Sequence, residues 1–137
     1  MKPNAAVSFV VCVLLAASFP VEAGETQKTV RFAKGKSSAT MTDSIKGDTS
    51  IAYMLNARAG QVMSVLFSPG NTSCYMNVSE PGADSAVHIG SSAGNEYAAN
   101  LAASGDYRIQ VYLMRNAARR NETCKFSITF EVTGGSM

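Results

Sequence analysis

The sequence predicts an all-β fold, an antiparallel β-sandwich of about eight or nine short strands with one short helical turn near Asn116–Asn121. Three observations carry that expectation. Turn signals punctuate the chain, most of them at spacings of roughly eight to twelve residues: Gly47-Asp48, Ala59-Gly60, Ser68-Pro69-Gly70-Asn71, Pro81-Gly82-Ala83-Asp84 and, after the small polar stretch Gly90 to Gly94, Ser104-Gly105. Between them apolar and polar residues alternate. The cleanest case sets Phe126, Ile128, Phe130 and Val132 against Lys125, Ser127, Thr129 and Glu131. Hydrophobic residues make up 46% of the chain and charged residues only 16%, which is enough apolar surface for a core and excludes a disordered chain. The 137 residues show no internal repeat, linker or low-complexity segment, so one domain suffices.

The N-terminal stretch is set apart from the fold. Lys2 is followed by the apolar run Ala5 to Phe19 and the small-residue site Val21-Glu22-Ala23. This is the pattern of a secretory signal peptide, residues 1–23, cut after Ala23. Cys12 lies inside the apolar run, so it is not placed to become a lipid-modified first residue. The mature domain is then 24–137, with no membrane association after cleavage.

Within it, Glu25 to Lys36 reads as a first strand around Val30 and Phe32. Ser37 to Lys46 alternates through Ala39, Met41 and Ile45, and Ser50 to Arg58 through Ile51, Tyr53, Leu55 and Ala57. Gln61 to Ser68 is apolar on both faces, with Val62 and Leu66 on one and Met63, Val65 and Phe67 on the other. Such a strand is central in a sandwich or covered by a partner. Cys74, Met76 and Val78 face together in a short strand, Val87 to Ile89 pairs briefly, and Gly90 to Gly94 is small and polar. Tyr97 to Leu101 leads into Ser104-Gly105, after which Tyr107, Ile109, Val111 and Leu113 share a face. Gly134 to Met137 reads as a flexible tail.

Several function classes are excluded. A formal net charge of +2 is too small for a nucleic-acid binder. No tryptophan and 8% aromatics leave little for a stacking platform. Once the signal is removed, Cys74 and Cys124 remain, an even pair that in an exported protein points to one disulfide. Two cysteines and the single His88 are too few for a zinc site, and no cofactor motif is present. His88 sits in an apolar triplet and reads as structural. Asp43 interrupts a strand face without an apparent partner. No nucleophile elbow, phosphate-binding loop or HExxH motif occurs, so the chain is not expected to be an enzyme.

Two polar features remain. Ser104-Gly105-Asp106-Tyr107 opens a strand whose tyrosine points inward and can lock the preceding loop by bonding backbone. Alternatively, Ser104 stands at a loop tip as a donor to a partner's carboxylate. Arg115 and Arg119 are four apart, so a helical turn sets them side by side. Guanidinium groups pair with carboxylates in bidentate geometry, which suits an acidic cleft, although a charge cluster is usually a solvated face. Tyr112, Met114 and Met63 suggest an apolar face that a homodimer would cover.

At these residues the chain resembles the bacterial periplasmic inhibitors of invertebrate-type (i-type) lysozyme. The resemblance rests on Ser104-Gly105-Asp106-Tyr107, which is similar to that family's SGxY motif, and on the run from Tyr112 to Glu122 behind it. The sister inhibitors of goose-type (g-type) lysozyme carry a similar R-N-x-A-R segment. The resemblance extends to Ala57-Arg58-Ala59-Gly60-Gln61. It implies a periplasmic, dimeric β-sandwich that plugs the cleft of i-type lysozyme, with Ser104 and Tyr107 as the inhibitory positions and Gly105 and Asp106 in the same loop. Arg115 and Arg119 extend the lysozyme-binding set. The alternative expectation is a carbohydrate- or matrix-binding β-sandwich module of the kind appended to secreted proteases.

Overall fold

A computed structural model describes residues 24–134; the signal-peptide reading, residues 1–23, and the end of the tail lie outside the described residues. Nine strands form two packed sheets. In chain order they are β1 (Glu25–Thr29), β2 (Ser38–Lys46), β3 (Ser50–Ala57), β4 (Gln61–Pro69), β5 (Cys74–Ser79), β6 (Ala86–Ile89), β7 (Glu96–Asn100), β8 (Gly105–Leu113) and β9 (Thr123–Gly134). Two single-turn helices interrupt them, α1 (Gly90–Ala93) and α2 (Arg115–Arg119). The first sheet runs β1-β3-β8-β5-β6 and the second β2-β9-β4-β7. Odd-numbered strands run toward one end of the sandwich and even-numbered strands toward the other.

Alternating sequence becomes alternating burial. Phe126, Ile128 and Phe130 of β9 point inward, as do Tyr107, Ile109, Val111 and Leu113 of β8 and Cys74, Met76 and Val78 of β5. Aromatic rings bridge the sheets: Tyr53 of β3 lies 5.3 Å from Phe130 and edge-on to Phe126 at 6.4 Å. The Cys74–Cys124 disulfide ties β5 to β9, with both cysteines buried. His88 is buried against Tyr97 and donates from Nε2 to the Gly94 carbonyl at 2.8 Å, a structural role.

Four details differ from the sequence expectation. Strand β1 ends at Thr29, and Val30 and Phe32 pack against the core from an irregular segment. It also pairs parallel to β3, because the chain crosses to the other sheet for β2 before it returns. The helical turn begins at Arg115, one residue before the expected Asn116, and ends at Arg119. Met63 is 0% exposed and belongs to the core, so it forms no outer face with Tyr112 and Met114; the expected dimer surface is not assembled. On the outer side of β4 stand Val62 and Leu66, both exposed. Among the described residues no helix is long and apolar enough to cross a membrane, and no group of three or more His, Cys, Asp or Glu is placed to hold a metal ion.

Asp43 does have partners, from strands far away in sequence. Its carboxylate accepts from the Tyr53 hydroxyl at 2.6 Å and from Lys28 Nζ at 2.8 Å, joining β1, β2 and β3 at one edge of the sandwich. Burial pushes the Asp43 pKa up, but the Lys28 and Tyr53 bonds outweigh it and hold the carboxyl below its usual 3.8. Burial, and after it the Asp43 contact, pushes the Tyr53 phenol well above its ordinary value. A depressed carboxyl pKa stabilises the fold above the unfolded-state value, and that stabilisation disappears as pH falls through the native one.

Two outcomes follow for stability. In acid titrations below about pH 4, Asp43→Asn loses less further stability than the parent chain does, read as a shallower fall of Tm with pH. Reducing the Cys74–Cys124 disulfide, or replacing both cysteines with alanine, lowers unfolding stability by about 2–4 kcal/mol in a denaturant titration.

Candidate functional site

The sequence-derived site residues occupy both ends of β8. Ser104 to Tyr107 stand where the strand begins and Arg115 and Arg119 just beyond where it stops. Its nine residues span about 27 Å at an extended rise. No compact site contains both sets.

At the first end the loop before β8 is tied down on all sides. The buried Tyr107 donates from its hydroxyl to the Ala103 carbonyl at 2.7 Å, the loop-locking arrangement. The Ser104 hydroxyl accepts from the Ala59 N–H at 2.8 Å, and Asp106 accepts from Asn56 at 2.8 Å. Leu101 exchanges backbone bonds with Gly60 and Gln61. Gly105 has φ 142°, and a Cβ there would come within 2.8 Å of Pro81. Ser104 is exposed; its oxygen accepts from Ala59, which leaves its O–H able to donate. Beside it lies exposed Arg58, a cation not singled out from the sequence. The only signal for Arg58 was its place in the Ala57–Gln61 segment; the Ser104–Ala59 contact that makes it a neighbour spans 45 residues.

The second end is built by α2 and the turns that pack on it. Met114 docks the helix start by donating its N–H to the Ser73 carbonyl at 2.9 Å. Ala117, between the arginines, is fully buried and plugs the end of the core, which calls for a small side chain there. Asn121, in the left-handed region at φ 59°, ends the turn. The Gly47 N–H donates to the Glu122 carbonyl, and a Cβ on Gly47 would meet Asn121 Oδ1 at 2.6 Å, so the β2–β3 turn is pressed against the end of α2.

Charges here divide into used and unused. Arg120 Nε lies 2.8 Å from Glu122 Oε2, and Asn71 donates to the other Glu122 oxygen at 3.0 Å. Those bonds, Asn71 first and then Arg120, lower the Glu122 pKa. Arg115 and Arg119 are exposed and make no ion pair among the described residues. Arg115 lines an open depression of about 390 Å³, together with Asp48, Thr49, Tyr112, Leu113, Met114 and Ala118; Arg119 lies one helical turn on, outside its lining. Leu113, Met114 and Ala118 give the depression an apolar wall, Asp48 and Thr49 a polar one, and the Arg115 guanidinium can pair with a carboxylate on a protruding protein segment.

No family model matches the chain. A curated relative, the inhibitor of g-type lysozyme of Escherichia coli strain K12, is 32% identical over 108 residues, covering 75% of this chain and 78% of the relative. The crystal structure of PliG from Aeromonas hydrophila, a periplasmic inhibitor of g-type lysozyme, superposes with a TM-score of 0.73 at 37% identity and covers 80% of this chain and 97% of that one. The Salmonella Typhimurium PliG structure gives 0.62 at 32% identity, covering 79% and 98%. These relatives are inhibitors of an enzyme, not enzymes, and the solved ones are periplasmic, as expected for this chain.

They correct the assignment to i-type lysozyme. Relatives over most of the chain inhibit the g-type enzyme, and the carbohydrate-binding alternative is not favoured. The misdirection came from Ser104-Gly105-Asp106-Tyr107, whose contacts in this fold serve the loop itself. The chain belongs to the family of periplasmic inhibitors of g-type lysozyme.

Proposed function

We propose that this protein inhibits a g-type lysozyme, and that it grips the enzyme with the basic end of the sandwich. One observation supports the choice of end: Arg115 and Arg119 are exposed cations on one helical turn, without acidic partners among the described residues, and Arg115 lines a concave surface. They also form the Arg115-Asn116-Ala117-Ala118-Arg119 segment that is similar to the R-N-x-A-R of the g-type inhibitors.

The chemistry is complementary. A glycosidase cleft presents carboxylates around the scissile bond, and a guanidinium inserted there forms charge-assisted, bidentate bonds while excluding the sugar. The Arg120–Glu122–Asn71 bonds hold the segment after α2, and Ala117 anchors the helix, so the arginines lose little freedom on docking. The Ser104–Tyr107 loop acts as scaffold in this reading. Its bonds fix the opposite end and the start of β8.

Inhibition of cell-wall lysis by g-type, i-type and chicken-type lysozymes, run in parallel, tests the proposal. Inhibition is expected of the g-type enzyme. Arg115→Ala and Arg119→Ala each weaken it by about tenfold to a hundredfold, the worth of a charge-assisted hydrogen bond. Ser104→Ala stays within about threefold of the parent, since its lost bond is local to the loop. Circular dichroism and Tm establish that each variant is folded. Full inhibition by both arginine variants, with Ser104→Ala inactive, overturns the choice of end.

A further inference from the structure

We propose that Met114 makes the basic end sensitive to oxidation: a peroxide-class oxidant converts its thioether to the sulfoxide and releases the grip on the enzyme. The inference rests on the proposed role of that end in binding lysozyme.

Position singles out Met114. It is 44% exposed, whereas Met63 and Met76 are fully buried and Met41 and Met54 partly so. The two cysteines of the described chain are joined in a buried disulfide, so no thiol competes for oxidant. Thioether oxidation follows exposure, which makes Met114 the preferred sulfur among the described residues. The residue is also held in place. Its N–H donates to the Ser73 carbonyl at 2.9 Å and its carbonyl accepts from Ala118 at 2.8 Å, so its backbone is anchored where the residue lines the depression. A flexible, polarizable thioether suits an apolar contact with a partner.

The chemical step is complete with one equivalent of hydrogen peroxide. A sulfur lone pair attacks one peroxide oxygen; the S–O bond forms as the O–O bond breaks. The departing hydroxide takes the proton from the transferred oxygen and leaves as water. Sulfur gives up two electrons and peroxide accepts them. The product replaces an apolar surface with a polar S=O group. It also places a strong acceptor beside Arg115, where it competes with a lysozyme carboxylate for the guanidinium.

The test treats the mature, disulfide-intact chain with hydrogen peroxide, follows each methionine by peptide mass mapping, and assays inhibition of g-type lysozyme before and after. Met114 is expected to gain oxygen before Met54 and Met41, with inhibition falling by about tenfold or more in step with it. Met114→Leu keeps after peroxide whatever inhibition it had before, while Met54→Leu loses inhibition as the parent does. Excess lysozyme added first slows oxidation at Met114. Complete sulfoxide formation at Met114 with inhibition unchanged overturns this inference and leaves the lysozyme reading standing. An untreated parent chain that fails to inhibit g-type lysozyme overturns both.

Discussion

Strand β8 is the constraint on which the rest depends. It is the middle strand of its sheet, hydrogen-bonded to β3 on one side and β5 on the other, and its inward residues Tyr107, Ile109, Val111 and Leu113 are buried. A slip of one residue would turn that whole row to solvent, so its register is fixed. Fixing the register fixes both ends. Tyr107 must lie under the Ser104 loop, and Met114 must deliver α2 to the opposite pole. The separation of the two polar features follows from the hydrophobic pattern of a single strand.

The frame around β8 is stiff for reasons that involve distant pairs. The disulfide joins the sheets through β5 and β9. Asp43 gathers Tyr53 and Lys28 at one edge. Glu25, whose side chain is nearly buried, receives Arg108, Gln110 and Ser50 and so fastens the parallel strand β1 onto the outside of the first sheet. Each contact joins segments that the sequence keeps well apart. Together they let the loops at the poles be short and preformed, and a preformed surface spends less of its binding energy on ordering.

Much of this was legible in the sequence, and the exceptions have physical causes. Period-two alternation gave β9, β8, β5 and the inward faces of β2 and β3, because a half-buried strand must alternate. The single disulfide followed from an even cysteine count after the leader. Val30 and Phe32 misled because an apolar loop packed on the core looks like a strand in a short window. The outer grouping of Tyr112, Met114 and Met63 failed because Tyr112 and Met63 lie on strands of different sheets and Met63 faces the core, a relation the sequence does not encode. Asp43 looked unpartnered because its bonds reach 10 and 15 residues away. The partner class was misread because Ser-Gly-x-Tyr also describes how a strand begins with a braced loop, so it does not by itself separate one lysozyme type from another. The arginine segment held the more specific signal, and its isolation from the serine loop became visible only when β8 was laid between them.

The most direct test of the account is amide hydrogen exchange on the protein alone and bound to a g-type lysozyme. Contact through the basic end predicts that binding slows exchange at Asp48 and Thr49 and across Arg115 to Asn121, with Ala102 to Ser104 unchanged. Slowed exchange at Ala59 and across Ala102 to Asp106, with α2 as open in the complex as in the free protein, would contradict it.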